Sequence, residues 1–185
     1  MRIALALAAS LALGAAMPAA AQPAPAQPQL PPGTPQARAT FVNAQGQQVG
    51  TAQLAQTAGG VLITIDVNGL PPGVHAFHVH EAGRCDGAGG FQSAGGHYNP
   101  GSRQHGFLMQ GGGHAGDMPN QVVGQDGRLR AQVLNDRVTL GAGEATLFDA
   151  DGSALVIHAG VDDYRSQPAG DAGGRIACAV IERQG

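Results

Sequence analysis

All seven histidines of the chain fall between His75 and His158, so any fold it adopts has to explain that grouping. His78 and His80 form an H-x-H pair. His97, His105 and His114 follow across a glycine-rich stretch, with Asp117 three residues after the last, and His158 comes later in a second apolar run. Residues two apart on a β-strand point the same way, about 6.6–6.8 Å apart along it. On a strand, His78 and His80 can therefore converge on one ion while Val79 faces the opposite side. The order and spacing suit a site for two metals.

The rest of the pattern supplies the strands. Val61, Ile63, Ile65 and Val67 alternate with Leu62, Thr64 and Asp66, the period of a strand with one buried face. Residues 38–43 and 47–54 read as a hairpin turning at Ala44-Gln45-Gly46. Residues 73–80, 128–134, 145–148, 154–159 and 175–182 read as further short strands. No stretch carries a helical stripe. Several short strands bounded by turn residues imply an all-β antiparallel sandwich or barrel. Two long loops interrupt it, residues 81–127 and 160–174. Loops of that length in a compact domain are commonly functional, and the first carries three histidines and an aspartate.

Arg2, the apolar run of residues 3–16 and the small residues Ala19-Ala20-Ala21 read as a signal peptide cleaved after about Ala21. The run is shorter than a spanning helix needs, so no membrane association is expected after cleavage. Residues 22–36, almost all Pro, Ala and Gln, read as a disordered spacer. Residues 37–185 then form one domain. The chain has no lysine; its ten basic residues are arginines against thirteen acids, a formal charge of −3. Losing Arg2 makes this −4. An acidic protein without a basic stripe is a poor nucleic-acid ligand, and that class is set aside. Cys85 and Cys178 in an exported chain are expected to form a disulfide. In the chain-entropy view, closing so long a loop stabilises by about 4–5 kcal/mol.

The donor set narrows the metals. His78, His80 and His158, all in strand-like segments, offer imidazoles without thiolate, which suits copper(II) or zinc. His105, His114 and Asp117 lie in loop sequence, and one more histidine would complete a closed tetrahedral zinc site. His97 is the obvious fourth, and its two ring nitrogens allow it to serve both metals.

Gly73-Val74-His75-Ala76-Phe77-His78-Val79-His80-Glu81 and Ser93-Ala94-Gly95-Gly96-His97-Tyr98-Asn99-Pro100 closely resemble the copper–zinc superoxide dismutases. The likeness continues through Ser102-Arg103-Gln104-His105-Gly106, His114-Ala115-Gly116-Asp117 and Val156-Ile157-His158, and ends in the segment from Gly170 to Ile181 that holds Arg175 and Cys178. It covers essentially the whole domain, and with the signal peptide it resembles the exported bacterial, periplasmic type.

The resemblance implies an eight-stranded Greek-key barrel with copper on His78, His80, His97 and His158. It implies zinc on His97, His105, His114 and Asp117, with His97 shared between the two. Asp162 matches the carboxylate that links a copper-ligand histidine to a zinc-ligand histidine, a kind of partner that fixes ring orientation. His75 matches a supporting histidine that is not a ligand. Arg175 matches the arginine that attracts and orients the anionic substrate, and Cys85 and Cys178 match an intrasubunit disulfide. The implied reaction is disproportionation of superoxide to oxygen and hydrogen peroxide, with Arg175 and His97 taking part. Arg103 and Arg165 read first as solvated surface charges, and Glu81 and Asp86 are assigned no role.

The family contains monomers and dimers, so a homodimer stays open. Gly174 and Ala179 depart from the serine and glycine common in animal members, and residues 164–171 lack the channel-loop lysines and glutamates of those enzymes. Two other readings, a metal-delivery domain on the same barrel and a purely structural β-sandwich, explain less. The first would be expected to lack part of the copper set or the arginine. The second gives no reason to group the histidines.

Overall fold

The computed structural model describes residues from Leu30 to Gln184. The expected signal peptide and the first part of the expected spacer lie outside the described residues. Nine strands follow in order: β1 (Gln36–Asn43), β2 (Gln48–Thr57), β3 (Gly60–Val67), β4 (Gly73–His75), β5 (Phe77–His80), β6 (Gln121–Val123), β7 (Leu129–Asn135), β8 (Ala154–His158) and β9 (Arg175–Arg183). Apart from one short 3-10 turn at Gln92–Ala94, no helix occurs among the described residues, and none is long and apolar enough to cross a membrane.

Seven strands form one antiparallel sheet in the order β5-β8-β9-β1-β2-β3-β7, and β4 pairs with β6. That ribbon connects the two sheet edges. β4 runs into β5 through Ala76 alone, and β6 turns into β7 at a bend closed by Gly124 N–H donating to the Arg128 carbonyl. With β4 and β5 taken as one interrupted strand, the count is the expected eight. The steps from β3 to β4 and from β7 to β8 cross between distant positions in the sheet, as a Greek key requires.

The β1–β2 hairpin forms where the sequence places it. Asn43 Oδ1 accepts from the N–H groups of Gln45 and Gln47, and Gly46 takes the left-handed φ of 74° that closes the turn. Val61, Ile63, Ile65 and Val67 are all buried while their neighbours on β3 are half-buried. They join Phe41, Leu54, Phe77, Val79, Leu129, Leu155 and Ile157 in one apolar core.

Three expected features change. The strand expected over residues 73–80 breaks at Ala76, whose N–H donates to the Gly160 carbonyl and whose carbonyl accepts from His158 N–H. Residues 145–148 do not form a strand. Thr146 makes only an isolated bridge with Thr139, and the apolar character there serves burial of Leu140 and Leu147. Conversely, β6 arises inside the first long loop, where Gln121–Val123 finds a partner in β4.

Candidate metal centre

On β5 all four residues are buried. Phe77 and Val79 enter the core, which by strand alternation turns His78 and His80 to the opposite face. The first long loop folds back over that face and is stitched to β5 through backbone bonds. Val79 N–H donates to the Gly116 carbonyl, Tyr98 N–H to the Val79 carbonyl and Glu81 N–H to the Gly96 carbonyl. This brings His97 opposite His80 and Asp117 opposite His78. His158 arrives at the end of β8, the strand that pairs with β5.

The sequence-derived residues therefore gather as two buried groups, His78–His80–His97–His158 and His97–His105–His114–Asp117, in each of which the potential ligand atoms lie within 4.8 Å of one another. His97 belongs to both.

Hydrogen bonds orient each ring. His80 Nδ1–H donates to the Gly95 carbonyl at 3.0 Å, which turns Nε2 toward His158 Nε2, 3.3 Å away. His78 Nε2–H donates to Asp162 Oδ2 at 2.8 Å, and His105 Nε2–H to Asp162 Oδ1 at 2.9 Å. Asp162 thus ties one member of each group together. Gly170 is fixed by this bond pair: it has φ +70°, and a Cβ there would overlap Asp162 Oδ1. Asp117 Oδ1 lies 2.9 Å from His97 Nδ1 and 3.0 Å from His105 Nδ1, while Oδ2 accepts from Gly106 and His114 N–H.

Three buried nitrogens, His78 Nδ1, His97 Nε2 and His114 Nδ1, have no hydrogen-bond partner. Buried polar atoms without partners are costly. His78 belongs to the first group, His114 to the second and His97 to both, and a metal ion in each group would satisfy them; the donor set fits copper and zinc.

Protonation differs from ring to ring. Burial pushes His97 down to about 4 and His158 down to about 3, and it holds His80 well below its ordinary value, with His97 and Arg175 adding to the effect. These rings are neutral at neutral pH, the form that ligates. Burial also opposes charge on His105, but hydrogen bonds to Asp117 and Asp162 outweigh it and raise that ring to about 9. Asp117 and Asp162, although buried, are held below the usual carboxylate range by their histidine partners.

The remaining residues fall around this centre. His75 has its ring nitrogens 2.8 Å from the His158 and Pro71 carbonyls, so neither is free for a metal. Arg175 Nη1 donates to the Phe91 carbonyl and Nη2 to the Gly95 carbonyl, both at 2.6 Å. The Gly95 carbonyl therefore holds both Arg175 and His80. Cys85 and Cys178 form a disulfide, packed with Phe91, Ala94, Ala154 and Val156 in a second apolar cluster under the loop. Glu81 was missed in the sequence: its Oε1 accepts from Gly96 N–H at 2.8 Å and braces the turn that carries the Gly95 carbonyl. Its only sequence signal is its place directly after His80.

The copper/zinc superoxide dismutase family model matches residues 48–181. A superoxide dismutase [Cu-Zn] of Aquifex aeolicus is 51% identical over 146 residues, covering 78% of this chain and 86% of its own length. The chain belongs to the copper/zinc superoxide dismutase family. Among solved structures, a SOD-like protein from Bacillus subtilis aligns with a TM-score of 0.74 at 38% identity, covering 77% of this chain and 96% of that one. The Cu/Zn superoxide dismutase from Brucella abortus aligns with a TM-score of 0.65 at 31% identity, covering 80% and 99%. The fold of this family member is the all-β antiparallel barrel expected from its sequence.

Proposed function

We propose that the protein is a superoxide dismutase, converting two superoxide ions and two protons to oxygen and hydrogen peroxide. The observation that carries this is His97, which belongs to both buried ligand groups while Arg175 is held beside the first of them. In this reading His78, His80, His97 and His158 would hold copper, and His97, His105, His114 and Asp117 would hold zinc. Copper supplies a one-electron relay between two oxidation states, and zinc a redox-inert positive charge.

The chain's own residues do the rest. Arg175 presents a guanidinium anchored by two carbonyls and no carboxylate, so its charge is left to draw and orient a small anion toward a net-negative protein. His97 Nε2, buried and partnerless, would hold a proton in the state in which it does not hold copper, and would hand it to the departing product. Asp162 holds His78 and His105 in the tautomers that direct their other nitrogens inward. The Glu81 brace on Gly96 keeps the Gly95 carbonyl, and with it both Arg175 and His80, in register.

Export to the periplasm, with cleavage after about Ala21 ahead of the spacer, is part of the same proposal. The Cys85–Cys178 disulfide supports it, because such bonds persist in oxidising compartments. The assembly is proposed as either monomer or homodimer. The test is direct: superoxide decay followed with the copper- and zinc-loaded protein beside its His78→Ala variant at matched metal content. Fast catalytic decay lost in the variant is expected. Full metal occupancy without catalysis would overturn the dismutase reading and leave a metal-binding protein on this barrel.

A further inference from the structure

Among the described residues, several arginines are held in one of two ways. Arg38 pairs with Glu182, and Arg128 and Arg130 pair with Asp66. Arg175, by contrast, is fixed by carbonyl oxygens, which orient a guanidinium without cancelling its charge. Arg103 and Arg137 repeat that second arrangement away from Arg175. Arg103 Nη1 donates to the Gly111 carbonyl. Its backbone is clamped by Asn99, whose Oδ1 accepts from Arg103 N–H and whose Nδ2 donates to the Arg103 carbonyl, both at 2.9 Å. Arg137 Nη1 donates to the His114 carbonyl at 3.3 Å, and its guanidinium lies 5.5 Å from the Phe107 ring centre.

The two guanidiniums converge. Each reaches to 3.6 Å from the point where a Cβ on Gly112 would lie. Both line a groove of about 510 Å³ together with Asn99, Gly111, Gly113 and Glu144. Among the described residues Arg103 makes no ion pair, and Arg137 makes only a 4.0 Å contact with Asp136 Oδ1. Glu144 is the one acid lining the groove.

We propose that this groove is a second anion site, for a dianionic phosphate group carried either as inorganic phosphate or as a small monoester. Two forks arriving from separate segments offer donors in several directions, which suits a tetrahedral ligand with several oxygens. Carbonyl anchoring means that Arg103 has no carboxylate to give up on binding it, and Arg137 only the 4.0 Å contact with Asp136. The site adjoins the zinc-side group, because Arg137 holds the carbonyl of His114.

The experiment is an amide-resolved NMR titration of the copper(I)–zinc protein with inorganic phosphate and, separately, with glycerol phosphate, at constant ionic strength against chloride. Saturable shifts at Gly111, Gly112 and Gly113 are expected with either ligand, and the tighter of the two identifies the source. Arg103→Gln should weaken binding at least tenfold, with Asn99 still gripping the backbone at that position. Glu144→Gln should tighten it several-fold by removing the opposing charge. Shifts that do not saturate, that chloride reproduces, that survive Arg103→Gln unchanged, or that appear only around Arg175 would overturn the proposal.

Discussion

Strands β1, β2, β3 and β7 bury one face and leave the other half-buried or open to water, whereas β5 and β8 bury both. The open half follows a simple rule: alternate residues enter the core, and the outward positions are free to be Thr64, Asp66, Arg130 or Gln132. In the covered half the outward face is a second interior, built when the first long loop lies over β5 and β8. That interior is partly polar, with imidazoles and carboxylates, and partly apolar, around Phe91, Val156 and the disulfide. Stability and chemistry are thus divided across one sheet. Substitutions in the open half should change the folding free energy with little effect on the site, and substitutions in the covered half should do the reverse or both.

The sharpest break in that comparison is His80→Ala. It removes one nitrogen of the copper group and the bond to the Gly95 carbonyl, and it should abolish superoxide decay while the hydrogen-exchange protection of β1, β2 and β3 stays as it was. Next in size is the double change Cys85→Ser with Cys178→Ser. The bond spans 93 residues, and its loss should cost about 4–5 kcal/mol in the chain-entropy model, read by denaturant unfolding. It should also loosen the Phe91 anchor of Arg175 and so slow catalysis. Ile63→Ala, fully buried on β3, should cost about 2–5 kcal/mol through lost burial and the cavity left, yet leave activity per folded molecule unchanged. An equal loss of activity would mean that the two halves are not separable.

The division also accounts for what could be read from sequence. In the open half alternation is the whole signal, and β3 and the β1–β2 hairpin follow it closely. The site residues were readable for a different reason. His78 and His80 share a face by strand geometry alone, and the ordered histidines with Asp117 match a known pattern. What was not readable depends on how loops pack in space. Asp162 reaches His78 across 84 residues and His105 across 57, separations that no periodicity encodes and that only the family resemblance suggested. The Glu81 brace, the shared Gly95 carbonyl and strand β6 exist because the long loop is stitched to β5 and β4. Residues 145–148 look like a strand because Leu147 must be buried, and burial alone does not supply a ladder partner.

Asp162→Asn tests the link between the two groups. Replacing the carboxylate weakens its hold on His78 and His105 and should reduce retention of the metals by about 10- to 100-fold, measured by competition with a chelator. Unfolding of β1, β2 and β3 should be unaffected.

The smallest effect belongs to the open face. Asp66 accepts from Arg128 Nε and Nη2 at 2.9 and 2.7 Å and from Arg130 Nε at 3.2 Å. The Arg128 hydrogen bond leads the causes that hold its carboxyl below the ordinary value. With the folded pKa below the unfolded one, the unfolded chain binds the proton more readily as pH falls. The contribution is therefore complete above the unfolded pKa and is lost as pH drops through the folded one. The side chain is 42% exposed, so solvent and salt screen the pair and Asp66→Asn should cost at most about 1 kcal/mol. That loss should fade in high salt and below about pH 4, and it should leave superoxide decay untouched. A larger, salt-insensitive loss would mean that the outer face of β3 and β7 is covered in the working protein, and the contrast between the two halves would then hold for the isolated chain alone.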